Sequence, residues 1–490
     1  MLPMSRVWQW SSRACGTSGI DLAVMPVVLL FLASVLIATA SATIIQSGPD
    51  IQAAIAKASP GDTIIVGAGE HSTFEVDKPL KILAAGAEIR AGIQKPAITI
   101  SSDGVSISGF RIEGVGKDTT SKFDYYMQNP EAAAGQRLDL PNAAIIVNGN
   151  DAVIGNTTIF GAEAGVFADS SMNISLLNDT FESCSSGAIL KAFDPGKIVG
   201  CTFSKCDNYG LDIEGCSEFT ICNNSLIDTA NVGILLKDST KCKVTDNLFS
   251  GNMEGLFLWN STFNDILRNS ADYNSYGIVL AGSDNNTVMY NNADENSRSE
   301  IVKGFGVGIS LQANSSKNVV AKNTARKNFN GFEAIEGCKL NVIYGNNATD
   351  NTHGLRMDKN YNNLIFGNNF ARNEINAYEN DSRNTWNTTV GNYYSDYKGK
   401  YGNNDGIGDQ PYALPGMESK SVDLRPLVRP YAAPLISVDD LRAESLMYAR
   451  YSSLEDEGTE PYRIVNGAIV IQAKGPTGPP TFPESKPILD

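Results

Sequence analysis

Two carboxylates, Asp212 and Glu214, stand two residues apart in Tyr-Gly-Leu-Asp-Ile-Glu. On a strand both face one side, with backbones about 6.6 Å apart, which is compatible with a general acid and a base at a glycosidic bond. Any alternating surface strand gives the same separation, and Lys237, one repeat further on, lowers the pKa of Glu214 and opposes its use as an acid. Trp259 offers a flat apolar face for a sugar ring, or a merely structural contact. A second group is Glu333, Arg356 and Asp358, with His353 at the preceding turn. Arg356 could neutralise a uronate carboxylate or take its C5 proton, with calcium held by Asp358 and Glu333; the plainer expectation is an Arg356–Glu333 ion pair. A third group, Asn403, Asp405 and Asp409, has oxygen ligands suited to calcium, yet Tyr401 and Tyr412 hold the first and twelfth positions of an EF-hand alignment. A plain Asn/Gly turn sealing the end of the domain is the alternative.

These residues are positioned by a repeat. Gly-apolar-x-apolar recurs from Gly165, Gly187, Gly210, Gly233, Gly255, Gly277, Gly308, Gly331 and Gly354, at spacings of 22, 23, 23, 22, 22, 31, 23 and 23. Alternate burial over a few residues is a short strand, and a period of this length carrying one strand reads as one coil of a β-solenoid. Asn247, Asn269, Asn291, Asn323, Asn346 and Asn368 form a second register, each followed five residues later by another Asn. They are expected to stack as amide ladders and to take the left-handed bends between strands. Positions two and four after each glycine are expected to point outward. The fourth-position column begins Asp169, Lys191, Glu214, Lys237, Trp259, alternating in charge over its first four members. Insertions at 115–142, carrying Phe123, Tyr125 and Tyr126, and before Gly308 are expected to wall a groove over this face. The Asp212 and Arg356 groups lie six coils apart, about 29 Å, too far to share one catalytic centre.

The chain has 490 residues and a net charge of −15, which disfavours nucleic acid and anionic membrane surfaces as partners. With 45 glycines, abundant Asn and only 19% charged residues, a mostly helical protein is excluded. Two histidines, His71 and His353, leave no His-rich metal centre. Arg6 and Arg13 precede an apolar run at 27–37 ending in Ala40-Ser41-Ala42, the layout of a secretory signal; an uncleaved anchor over 22–42 is the alternative and the one route to a membrane. Seven of the eight cysteines lie between Cys184 and Cys338, an odd number with no CxxC pair. Cys184 and Cys206 occupy one coil position and are close enough to bond if their side chains turn together, whereas Cys216 and Cys338 are about 24 Å apart. Residues 50–58 carry one apolar helical face and are expected to cap the first coil. Three regions follow: a leader at 1–42, a repeat domain at 43–431, and a Pro-rich, partly disordered tail at 432–490.

The segment 51–66, the Gly/Asn coils, and GNYYSDYKGKYGNNDGIGDQPY followed by VDLRPLVRPY together resemble the NosD-like group of right-handed parallel β-helix proteins. That group is described as periplasmic copper-binding, or as carbohydrate-binding and sugar-hydrolysing. The resemblance implies an all-β, single-stranded right-handed parallel β-helix of the pectin lyase type. Copper is at odds with the ligand inventory, since copper sites use imidazole, thiolate or thioether groups and here the histidines and methionines are scattered. The leading expectation is an exported or cell-surface protein that binds an extracellular polysaccharide along the glycine-strand face, with Lys237, Trp259, Glu333 and Asp358 as contacts. The alternatives are a polysaccharide lyase or glycoside hydrolase using Asp212, Glu214 and Arg356, an envelope structural protein, or a metal-maturation accessory.

Overall fold

Each period of 22 or 23 residues returns the chain to the same place one coil higher, so residues distant in sequence become vertical neighbours. The computed structural model describes residues 42–116, 141–191, 194–297, 305–417, 419, 421–456, 462–465 and 468–471. Within them, thirteen glycine-face strands, from Phe74–Val76 to Ile375–Asn380, form one sheet. Pairing is parallel, with Ala188, Leu211, Ile234, Leu256, Ile278 and Ile309 in one inward column. The 31-residue step before Gly308 leaves the stack undisturbed, because Tyr276 still pairs with Val307. The fold is the expected right-handed parallel β-helix. The leader and the insertion aromatics Phe123, Tyr125 and Tyr126 lie outside the described residues, as do 298–304 of the second insertion.

Helix α1 (Ile51–Lys57) starts at Asp50, whose side chain accepts from the Ala53 amide at 3.1 Å, and it buries Ile51, Ala54 and Ile55 on the first coil. It covers an end that would otherwise expose apolar core, as expected.

The Asn columns form ladders. Asn247 donates its backbone N–H and its Nδ2 to Asn269 Oδ1, both at 3.0 Å, and Asn269 does the same to Asn291. A third column, Asn264, Asn286, Asn318, Asn341 and Asn363, is built the same way. The left-handed bend belongs to the preceding residue, which corrects the sequence reading: Asp246, Arg268, Tyr290 and Lys322 have φ of 58°, 54°, 59° and 59°, while Asn247, Asn269, Asn291 and Asn323 do not. That bend turns the preceding side chain outward and aims the Asn amide along the stack, where it satisfies buried backbone groups.

The cysteines between Cys184 and Cys338 are all buried in the stack. Cys201 and Cys242 donate their backbone N–H groups to Asn224 and Asn264, each at 2.8 Å, and Cys216 to Ser239 at 3.2 Å. The Cys184 and Cys206 thiols donate to the carbonyls of Glu182 and Ser204, at 3.7 and 3.8 Å.

Near the C-terminal end, Asp423 closes the first ladder, accepting from the Asn392 amide at 2.7 Å and from Tyr394 Oη at 3.2 Å. Beyond the repeat, α2 (Val438–Asp456) lies on the outer flank of the coils. Its Leu441 and Tyr448 bury against Val319, Val342, Tyr344 and Phe366. Arg442 donates to the Asn285 carbonyl at 2.7 Å and Ser445 to that of Leu340 at 3.1 Å. Ordered structure therefore continues past the loss of periodicity at Tyr431.

Candidate functional site

The glycine strands present three outward columns. Pairing skips the glycine, since Tyr209 pairs with Val232 and Leu211 with Ile234, so glycine and the residue after it both face inward. The residue before glycine is thereby turned out, beside positions two and four. Position two is the floor of a trough, where Leu235, Val279, Ser310 and Glu333 are buried. One wall carries Tyr209, Glu254, Tyr276, Asn330 and His353; the other carries Lys191, Glu214, Lys237, Trp259, Gln312 and Asp358. Strict alternation hides the first wall from a sequence reading, which is why Glu254, Tyr209 and Tyr276 were missed. The local signal was the polar or aromatic residue just ahead of the glycine.

In the lower part of the trough, Glu214 is clasped by Lys237 from the next coil and by Lys191 from the one before, the latter at 3.3 Å. The Lys237 hydrogen bond holds the Glu214 carboxyl below its usual range, as expected from the sequence. Burial instead pushes Asp212 up to about 6, with the neighbouring Glu214 charge adding to the rise and Lys191 and Lys237 pulling against it. Glu254, two coils above Asp212, is pushed up to about 7 by burial alone. Tyr209 is raised first by burial and then by the charges of both Asp212 and Glu254, so it lies within electrostatic range of each. Trp259 is 53% exposed, with its ring stacked on Phe257 at 6.1 Å between centroids.

In the upper part, Arg356 does stack over Glu333 in the strand register, but the expected ion pair between them is not made. Arg356 donates to Asp358 at 2.8 Å on its own strand. Glu333 is 5% exposed and accepts from Ser310 Oγ at 2.7 Å and Asn330 Nδ2 at 2.8 Å. Neutral donors satisfy it on the floor while the guanidinium stays at the rim, where water offsets the cost of charge. Burial raises the Glu333 pKa despite those bonds. His353 Nδ1 lies 3.0 Å from Asn330 Oδ1, and its ring meets Phe329 and Tyr378. Tyr276 is raised by burial, then by Glu333 and Glu254, so it links the two ends of the trough.

Asn403, Asp405 and Asp409 share one loop. Asn403 Nδ2 donates to Asp405 at 3.1 Å, and the other Asp405 oxygen accepts from the Ile407 amide at 2.8 Å. This is the geometry of an Asx turn, with Gly406 at φ 88° completing it. Among the described residues, no three His, Cys, Asp or Glu side chains come together as a metal-holding group.

The buried carboxyls set the pH dependence of stability. Burial pushes Asp179, Glu254, Asp423 and Glu444 up to about 7, and Asp212 to about 6. A carboxyl with a raised folded pKa contributes stability below its unfolded value and loses it as pH rises through the folded one. Groups lowered by partners, such as Glu214 and Asp350, are ionised in both states above about pH 5 and add no slope there. His353, lowered by burial, works in the opposite direction but is a single half-buried group. The thermal midpoint is therefore expected to fall between pH 5 and pH 8; a midpoint that rises across that window, measured by calorimetry in matched buffers, contradicts this assignment.

Fold and site together define a parallel β-helix with a trough of aromatic and carboxyl side chains along its axis. The chain belongs to the NosD family: residues 123–304 and 295–399 match the family model described as periplasmic copper-binding protein (NosD). No curated protein matches. Among solved structures, the Dettilon tailspike protein is 15% identical with a TM-score of 0.48, covering 61% of this chain and 63% of its own. The A-module of a mannuronan C-5 epimerase from Azotobacter vinelandii is 13% identical with a TM-score of 0.48, covering 68% and 94%. The DFA-IIIase of Arthrobacter chlorophenolicus, in complex with GF2, is 14% identical with a TM-score of 0.45, covering 62% and 95%. At these identities the likeness concerns the fold. Among the described residues, no helix is long and apolar enough to cross a membrane.

The donor set of the described residues does not fit the copper in the family description. Both His71 ring nitrogens lie 3.0 Å from backbone carbonyl oxygens, those of Pro49 and Gly67. His353 sits far along the stack, on Asn330. Burial pushes the Cys201, Cys242 and Cys338 thiols up to about 12, 11 and 12, so the thiolate that copper prefers is disfavoured. Met357 is in the core, and Met289 is buried in the cluster that receives α2.

Proposed function

We propose that this chain is an exported protein that binds a polysaccharide lengthwise in the trough over its glycine strands. One observation carries the reading. Trp259, backed by Phe257, stands open to solvent on the same face as Tyr209, Asp212 and Glu254. A sugar ring uses such a surface twice, packing its C–H face on the indole and donating its hydroxyls to carboxyl oxygens. Successive coils are about 4.8 Å apart, close to the length of one sugar residue, so an extended chain can run along the axis. The basic and apolar leader layout at 1–42 supports export. Affinity electrophoresis through gels containing soluble polysaccharides tests the binding. The wild-type protein is expected to be retarded, and Trp259→Ala to weaken binding about tenfold, the equivalent of one good aromatic contact. Equal retardation of both proteins removes Trp259 from the site and the reading with it.

Hydrolysis is the second reading, favoured by Asp212 and Glu254, two carboxyls raised by burial to about 6 and about 7 on one face. An acid poised near neutrality can protonate a glycosidic oxygen while a second carboxylate activates water. The lyase variant, with Arg356 as base, is less well supported because its guanidinium is engaged by Asp358. Reducing ends released by the wild type and lost in Glu254→Gln would favour the enzyme; binding without product leaves the binder.

A further inference from the structure

Resting on that trough reading, we propose that the groove accepts neutral polysaccharide and rejects polyuronates. Charge decides it. The outward positions of the strands from Ala164–Asp169 to His353–Asp358 carry six carboxyl groups, Asp169, Asp212, Glu214, Glu254, Glu333 and Asp358. They carry three cations, Lys191, Lys237 and Arg356. All three are engaged: both lysines hold Glu214, Lys191 at 3.3 Å, and Arg356 holds Asp358 at 2.8 Å. Among the described residues, no cation of this face remains to receive a sugar carboxylate. A polyuronate would also meet the field of a chain with net charge −15. Releasing Arg356 to bind it would leave Asp358 without its cation, and releasing either lysine would leave Glu214 with one cation in place of two.

The same atoms suit hydroxyl groups. Asp212 and Glu254 accept no hydrogen bond from the described residues, and burial without a partner is costly for a carboxyl. A neutral sugar brings O–H donors to both without bringing charge. Trp259 supplies the apolar contact. Asp212 and Glu254 are therefore assigned as specificity determinants, acting by acceptance of hydroxyls and by repulsion of anions.

Affinity electrophoresis of the full chain at pH 8 and low salt tests this, with dextran, pullulan and a soluble β-glucan as neutral probes and alginate and polygalacturonate as anionic ones. The expected result is retardation by at least one neutral polymer, with binding to the polyuronates weaker by about tenfold or more. The double variant Asp212→Asn, Glu254→Gln is expected to narrow that gap. Retardation by alginate or polygalacturonate that exceeds every neutral polymer, and that is lost in Trp259→Ala, overturns the charge argument while leaving the trough as the binding site. Retardation by no polymer overturns both.

Discussion

Replacing Asn291 with Ala is expected to lower stability by about 4 kcal/mol, read as a drop in the urea midpoint. Asn291 is 2% exposed in the middle of the first ladder. Its Oδ1 accepts from Asn269 N at 2.9 Å and Asn269 Nδ2 at 3.0 Å, and its Nδ2 donates to Ile266 O at 2.9 Å and Asn323 Oδ1 at 3.0 Å. Truncation removes all four bonds and leaves dry partners in the coils on both sides, each worth about 1–3 kcal/mol when unsatisfied. Because each coil touches only its neighbours, the damage is expected to open the stack near that point. Hydrogen exchange should therefore quicken around Asn269 and Asn323 before it does around Asn224. A midpoint unchanged within experimental error would show that water replaces the amide at no cost, and the ladder would lose its place as a stabilising element.

Gly255→Ala is the second large effect, about 3 kcal/mol by overpacking. A Cβ at Gly255 would lie 2.6 Å from the Gly277 carbonyl oxygen and 3.0 Å from Phe249 Cβ. The contact is with backbone, so no side chain can rotate away, and relief requires two paired coils to part. Gly233 meets Gly255 in the same way, at 2.5 Å. The glycines of this column are thus selected by close approach, since none has positive φ. Gly48→Ala is the control, because a Cβ there meets nothing within 4 Å. If both variants show the same midpoint, the strands are not stacked as described.

Much of this architecture was legible from the letters alone. A period of 22 or 23 residues is a one-dimensional property, and a stack of coils repeats one environment, so the inward columns of apolar residues and Asn announce themselves. The α1 cap was legible for the same reason, as a short apolar face ahead of the first coil. The outward columns obey no such repetition. Their partners are chosen by side-chain reach across coils and by exposure, and so Arg356 turned to Asp358 rather than to the Glu333 beneath it. The irregularity at each glycine exposed a third column that alternation conceals, bringing Glu254 and Tyr276 into the trough. The docking of α2 was equally hidden, because its receiving surface is assembled from Val319, Val342, Tyr344 and Phe366 on successive coils and exists only once they are stacked. Sequence by itself determined the solenoid and its buried ladders, where every storey imposes the same constraint. Only the tertiary structure decided which charges pair, which carboxyls stay without a partner, and therefore what the outer face can hold.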